Sequence, residues 1–249
     1  DGLLASCVER MNESIATKEK DLEYYMLGTD PAGAAKSADP VNLCTGNFIY
    51  EHEDLKIAGD IPLSFHRYYN SKDVIVSHMG KGFRHNYEIR LEEREDGKYA
   101  LTCKDGQQKI YESLDGERLL KLEDNTILRF NEQGNIVRQE DHNQKGMDFM
   151  YDEKDRLVMV KTDHGDFLSY EYDENERLIK VSDHTDREVS LTYDAKNRLE
   201  ETVIPGERSY RYQYGENGRI VEVENARQVT SVKNTYDNKF RVTHQDFPD

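Results

Sequence analysis

Three sets of residues in this 249-residue chain are of types that could do chemistry. Asp-His recurs as Asp141-His142, Asp163-His164 and Asp183-His184, at intervals of 22 and 20. Such pairs could offer carboxylate and imidazole to a metal, but a metal needs three or four converging ligands. Spread one pair per hairpin, these would stand about 10 Å apart on alternate strands, and they read as polar turns. Cys44 with His66, His78 or His85 could form a thiol–imidazole pair. No third group that would orient the imidazole stands out, so these residues read as packing. Any two of the 50 carboxylates could be proposed as an acid–base dyad, which is why none is singled out. The cysteines are Cys7, Cys44 and Cys103, with no CxxC pair, and suggest neither a disulfide scaffold nor a zinc ribbon. No catalytic, cofactor-binding or metal-ligating residue is assigned, and the segment is not expected to be an enzyme.

Composition narrows the classes further. The formal net charge is −16, from 34 basic and 50 acidic residues, which disfavours nucleic acid and anionic membranes as partners. No apolar run approaches the ~20 residues of a transmembrane helix, and no signal peptide is visible at the start. The first residue is Asp1, so the natural start is expected elsewhere. Hydrophobic residues are 36%, charged residues 34% and mean hydropathy −0.92, against about 45–50% and 25% for ordinary domains. A thick core is therefore not expected, and a thin architecture with two wetted faces is. The 16 Tyr and 8 Phe argue against disorder.

Three regions follow along the chain. Residues 1–38 read as a helix and linker. Val8, Met11, Ile15, Leu22 and Met26 fall near one stripe, broken at Lys18 and Glu19, Gly28 is a stop, and 29–38 is rich in small residues. The stripe is expected to dock on something. Residues 39–110 read as antiparallel β, with Phe48-Ile49-Tyr50 and Leu63 to Tyr69 strand-like and a hairpin around Glu95-Asp96-Gly97-Lys98.

Residues 111–249 carry an internal repeat. Its anchors are Phe130, Tyr151, Tyr172, Tyr193, Tyr214 and Tyr236, at intervals of 21, 21, 21, 21 and 22, and a looser copy begins at Tyr111. Asp follows the anchor at Asp152, Asp173, Asp194 and Asp237. Arg stands five positions after it at Arg156, Arg177, Arg198, Arg219 and Arg241, and an aliphatic residue always comes next. Apolar residues at −4, −2 and 0, as in Leu168, Tyr170 and Tyr172, have the period of a strand. Each repeat thus predicts one hairpin, and because one hairpin is marginal alone, stacking is obligatory. The equivalent Tyr residues should form a ladder, with Arg and Asp pairing nearby or lying over Tyr rings.

The unit Tyr-Asp-x-x-x-Arg-Leu at this period resembles the YD repeat of RHS (rearrangement hotspot) proteins. Tyr151 to Leu157 and Tyr193 to Leu199 are the clearest copies. The segments Asp39 to Phe48, Leu63 to Asn70 and Gly80 to Tyr87 are similar to those that open RHS chains, so the resemblance covers about residues 39–249. Gly215 stands where the pattern has Asp, and Asn135 where it has Arg. The resemblance implies the N-terminal shell region of a bacterial polymorphic toxin, with its sheet wound into a hollow β-cocoon. Such a shell encloses or presents a C-terminal toxin, often released by a self-cleaving aspartyl motif, and acts in interbacterial competition after secretion or delivery to a cell surface. Asp30-Pro31-Ala32-Gly33 is the one string like that motif; it lies upstream of the shell, reads as linker, and no catalytic role is carried over. The partners implied are the rest of the shell, its cargo and a delivery apparatus. The other reading is a cell-surface module whose aromatic row binds glycans or a partner. The repeat breaks off before its next anchor, expected near position 257, so the sequence reads as a fragment with a free sheet edge that should associate.

Overall fold

The structure, a computed structural model, describes residues 11, 13–22, 41–42, 45–206 and 208–247. Its main body is a thirteen-stranded antiparallel sheet from Leu119–Lys121 to Val242–Asp246, each strand bonded to its sequence neighbours. This is the stacked-hairpin array that the alternating pattern predicts. The pattern acquires one regular distortion. In all six repeats the register shifts by one residue just before the anchor, as between Glu171 and Tyr172 and between Thr192 and Tyr193. Such bulges strengthen the local twist.

Every turn after an anchor has the same build. The amide one residue after the anchor donates to the carbonyl at +5, and the +4 amide donates to the +1 carbonyl. The +4 residue takes a positive φ in each copy: Gly134, Asp155, Glu176, Asn197, Gly218 and Phe240. Turns at the opposite edge use the same geometry, with Gln144 at φ 65. Gln144 is exposed. A left-handed non-glycine residue costs roughly 1–2 kcal/mol, and glycine's extra chain entropy returns part of that. Gln144→Gly is therefore expected to stabilise the protein by about 0.5–1 kcal/mol, read as a higher urea midpoint at unchanged slope.

Val41–Asn42, Asn47–Ile57, Leu63–Asn70 and Phe83–His85 form a four-stranded sheet, and Arg90–Glu93, Tyr99–Thr102 and Gln108–Tyr111 a three-stranded one. Tyr111 closes this small sheet and does not open the repeat array, which starts at Leu119. Residues 13–22 are helical, with Met11, Ile15 and Leu22 exposed; Asp21 is held by Arg94 across 2.6 Å. Val8, Met26, Gly28 and the 29–38 linker lie outside the described residues.

The expectation of two wetted faces needs correction. The four-stranded sheet lies against one face of the large sheet, and the two share one apolar cluster. Phe65 and His85 meet Tyr170, Tyr50 and Phe83 meet Tyr212, and Tyr87 meets Phe149, with centroids 5.1–6.2 Å apart. Low average hydrophobicity conceals this because the other face is dense in charge. There Lys180 bridges Glu171 and Glu188, and Arg211 bridges Glu201 and Glu224. A polar outer face dilutes the composition while the inner face stays apolar.

Candidate functional site

The repeat residues converge along one edge of the large sheet. Asp152, Asp173, Asp194 and Asp237 each accept from the Arg four residues later, Nε to Oδ2 at 2.7–2.8 Å, and their other oxygen accepts two turn amides. Burial opposes ionisation of Asp152, Asp173 and Asp194, yet these donors hold their carboxyls below the ordinary range. At Asp237 the backbone amide and Arg241 do the same.

Three of the four clamped Arg residues then reach the next repeat. Arg156 lies over Tyr172, Arg177 over Tyr193 and Arg198 over Tyr214, 4.3–5.0 Å from the ring centroids. The Tyr hydroxyls reach back: Tyr151, Tyr172, Tyr193, Tyr214 and Tyr236 donate to the carbonyls of Ile136, Leu157, Leu178, Leu199 and Ile220 at 2.6–3.0 Å. Phe130 is a buried apolar anchor without that bond. Asp, Arg and Tyr thus couple one hairpin to the next. Tyr193→Phe removes one such donor from a half-buried carbonyl and is expected to cost about 1–2 kcal/mol in urea unfolding.

The departures from the repeat fall where residues of the 41–93 region dock. With Gly215 in place of Asp, Arg219 has no clamp; its Nε donates to the Ser71 carbonyl at 2.9 Å and its guanidinium covers Phe240 at 3.9 Å. A Cβ on Gly134 would stand 2.0 Å from the Leu91 carbonyl oxygen, where Leu91 N donates to Gly134 O. The Leu178 and Val242 amides, six residues after their anchors, donate to His78 O and Gly46 O at 2.8 and 2.9 Å; the Ile220 amide donates to the Tyr69 hydroxyl at 3.1 Å.

At the centre of the seam sits an ion pair that residue types alone do not reveal. Arg67 is fully buried. It grips Asp54 with two nitrogens, Nη2 to Oδ1 at 2.7 Å and Nε to Oδ2, and donates through Nη1 to the Tyr212 hydroxyl. His52 Nδ1 lies 2.7 Å from Asp54 Oδ1. Burial alone would raise the Asp54 carboxyl; Arg67 outweighs it and holds the group below its usual range.

A cavity of about 460 Å³ opens further along the seam, lined by Glu88, Asn135, Tyr151, Leu157 and Tyr172 among others. Glu88 is pushed up to about 7 by burial, which Arg84 only partly offsets. His85, read as one of a possible thiol–imidazole set, is buried against Tyr170; burial, then the His78 and Arg84 charges, lower it to about 3. His66 pairs with Glu53, and His78 Nδ1 lies 2.6 Å from the Glu176 carbonyl; Cys44 lies outside the described residues. Asp183 is clamped by Arg187 and Asp163 by Arg138, while His184 stands 3.5 Å from Asp166. Among the described residues no group of three or more His, Cys, Asp or Glu could hold a metal.

Residues 38–111 match a family described as a domain of unknown function, DUF6531. No curated protein matches the chain. Among solved structures it is similar to TcdB2-TccC3 crystallised without its hypervariable C-terminal region, at 15% identity and TM-score 0.36, over 78% of this chain and 11% of that one. It is also similar to the Photorhabdus luminescens Tc holotoxin pore, at 13% identity and TM-score 0.38, over 83% and 10%. A porin-like protein from Bacteroides uniformis is similar at 12% identity and TM-score 0.27, over 79% and 92%. The chain spans about a tenth of the length of the Tc chains. Among the described residues no helix is long and apolar enough to cross a membrane.

Proposed function

We propose that this chain is the opening wall of an RHS-type β-shell, which encloses or presents a toxin carried by the same polypeptide. The observation that carries this reading is the coupling along the repeat edge. At Arg156, Arg177 and Arg198 a hairpin leaves a clamped Arg that the next hairpin's aromatic ring covers, so the sheet is built to extend by a fixed unit. The 41–90 region supports the same reading, since it caps amides along the repeat edge and covers one face of the array from Phe149 to Val242. The role is steric, this segment performs no catalysis, and the assembly works outside the producing cell in competition between bacteria.

The glycan-binding reading needs free Tyr faces and hydroxyls. From Tyr172 to Tyr214 a guanidinium covers the anchor ring, and its hydroxyl already serves a carbonyl. Electron microscopy of the complete gene product is expected to show a closed shell with density inside. An open ribbon with no enclosed density would overturn the proposal.

A further inference from the structure

We propose that the seam cavity binds an extended, uncharged peptide segment. At three other repeats the amide six residues after the anchor is met by an oxygen of the 41–90 region: His78 O at Leu178, the Tyr69 hydroxyl at Ile220 and Gly46 O at Val242. At the repeat anchored on Tyr151, the equivalent Leu157 lines the cavity instead. The volume of about 460 Å³ is in the range of small-ligand pockets and suits two or three residues.

The polar groups left over in the cavity match a peptide group. Asn135, only 7% exposed, has a buried Nδ2 with no hydrogen-bond partner, and the buried Oε1 of Glu88 is left with His85 Nε2 at 3.5 Å. Buried polar atoms are ordinarily satisfied. A peptide unit offers one carbonyl to Asn135 and one N–H to Glu88, which meets both demands with a single neutral group. The charged residues of the lining favour neutrality too: Arg84 is paired with Asp73 at 2.6 Å, and Arg90 and Arg177 are balanced by Asp155 and Glu176. At the rim, Ile75 and Val76 are 44% and 70% exposed and line the same cavity, ready for an apolar side chain. The occupant is therefore a strand-like segment with a β-branched or other aliphatic residue, and this site does not depend on the shell reading.

The test is a titration of the whole chain with acetyl-Ala-Val-Ala-amide, followed by amide NMR, with D-glucose at equal concentration as control. Saturable shifts centred on the Leu157 amide and the Asn135 side-chain amide are expected, with millimolar affinity. Asn135→Ala and Val76→Asp should each weaken binding by about tenfold or more. Val76 is exposed, so its variant decides the matter if Asn135→Ala does not fold. Absence of saturable shifts, shifts centred elsewhere, equal response to glucose, or folded variants that bind normally would each overturn the assignment.

Discussion

Replacing Arg67 with Met is expected to destabilise the protein by about 3–5 kcal/mol, the cost of leaving one partner of a buried ion pair uncompensated. The stranded group is Asp54, whose side chain is fully buried, as is that of Arg67 itself. The same substitution takes a donor from the Tyr212 hydroxyl, so it loosens the four-stranded sheet from the repeat sheet as well. The variant Arg67→Met/Asp54→Leu removes both charges and should recover most of the loss, because well-packed apolar replacements of buried pairs are often neutral. Urea unfolding of the single and double variants at pH 7 measures this, and equal losses in both would refute it. The acid limb follows by sign. A carboxyl held below its unfolded value, about 3.9, contributes stability that is present above that value and lost as pH falls through its depressed folded value. The Asp54 contribution therefore survives to below pH 4, and an Arg67→Met protein should lack that acid-resistant share.

How much of this was readable beforehand differs sharply between the two parts of the seam. The hairpins, their order and the two-residue alternation followed from the 21-residue spacing, because each repeat reports its own local geometry. The pairing of Asp with the Arg four residues later is local too, and so was open to inference. What the Arg covers is not local. Arg177 stacks on Tyr193, one repeat on, and which neighbour a fixed offset meets depends on the bulge, which leaves no mark in the composition. Arg67 shows a second limit. In Leu63-Ser64-Phe65-His66-Arg67-Tyr68-Tyr69 it occupies the buried phase of a strand, a position where period-2 reading already places Leu63, Phe65 and Tyr69. An Arg in phase with those residues was the available signal of a buried charge, and Asp54 and Tyr212 lie 13 and 145 residues away. The repeat departures could also have been read as contacts. Gly215 and Asn135 depart from the pattern, and each marks a place where another element touches the edge.

Between pH 5 and 8 the wild-type protein is expected to lose stability relative to Glu88→Gln as the solution becomes more alkaline. Glu88 lies at the wall of the cavity, 17% exposed, with the guanidinium of Arg84 3.8 Å away and His85 Nε2 at 3.5 Å. Asp73 takes the main Arg84 contact at 2.6 Å, so little of that charge remains for Glu88. His85 accepts the Tyr87 amide at Nδ1 and stays neutral in the folded protein, so below its unfolded value of about 6.5 it adds an opposite slope, common to wild type and variant. Burial therefore prevails and brings the carboxyl to about 7, from an ordinary value of about 4.5. The sign is that of an acid raised by folding: its stabilising share is complete below the unfolded value and disappears as pH climbs through the folded one. At 1.36 kcal/mol per pH unit, the window from about 4.5 to about 7 corresponds to roughly 2–3 kcal/mol once partial exposure is allowed for. The carboxylates of the repeat clamps are shifted the other way and change only in acid, so they do not mask this limb. The Glu88→Gln variant would keep the shape of the side chain and a hydrogen-bond donor while abolishing the titration, so the measurement is urea unfolding of both proteins at pH 5 and 8. A difference between the two proteins that is the same at pH 5 and 8 would refute the Glu88 assignment.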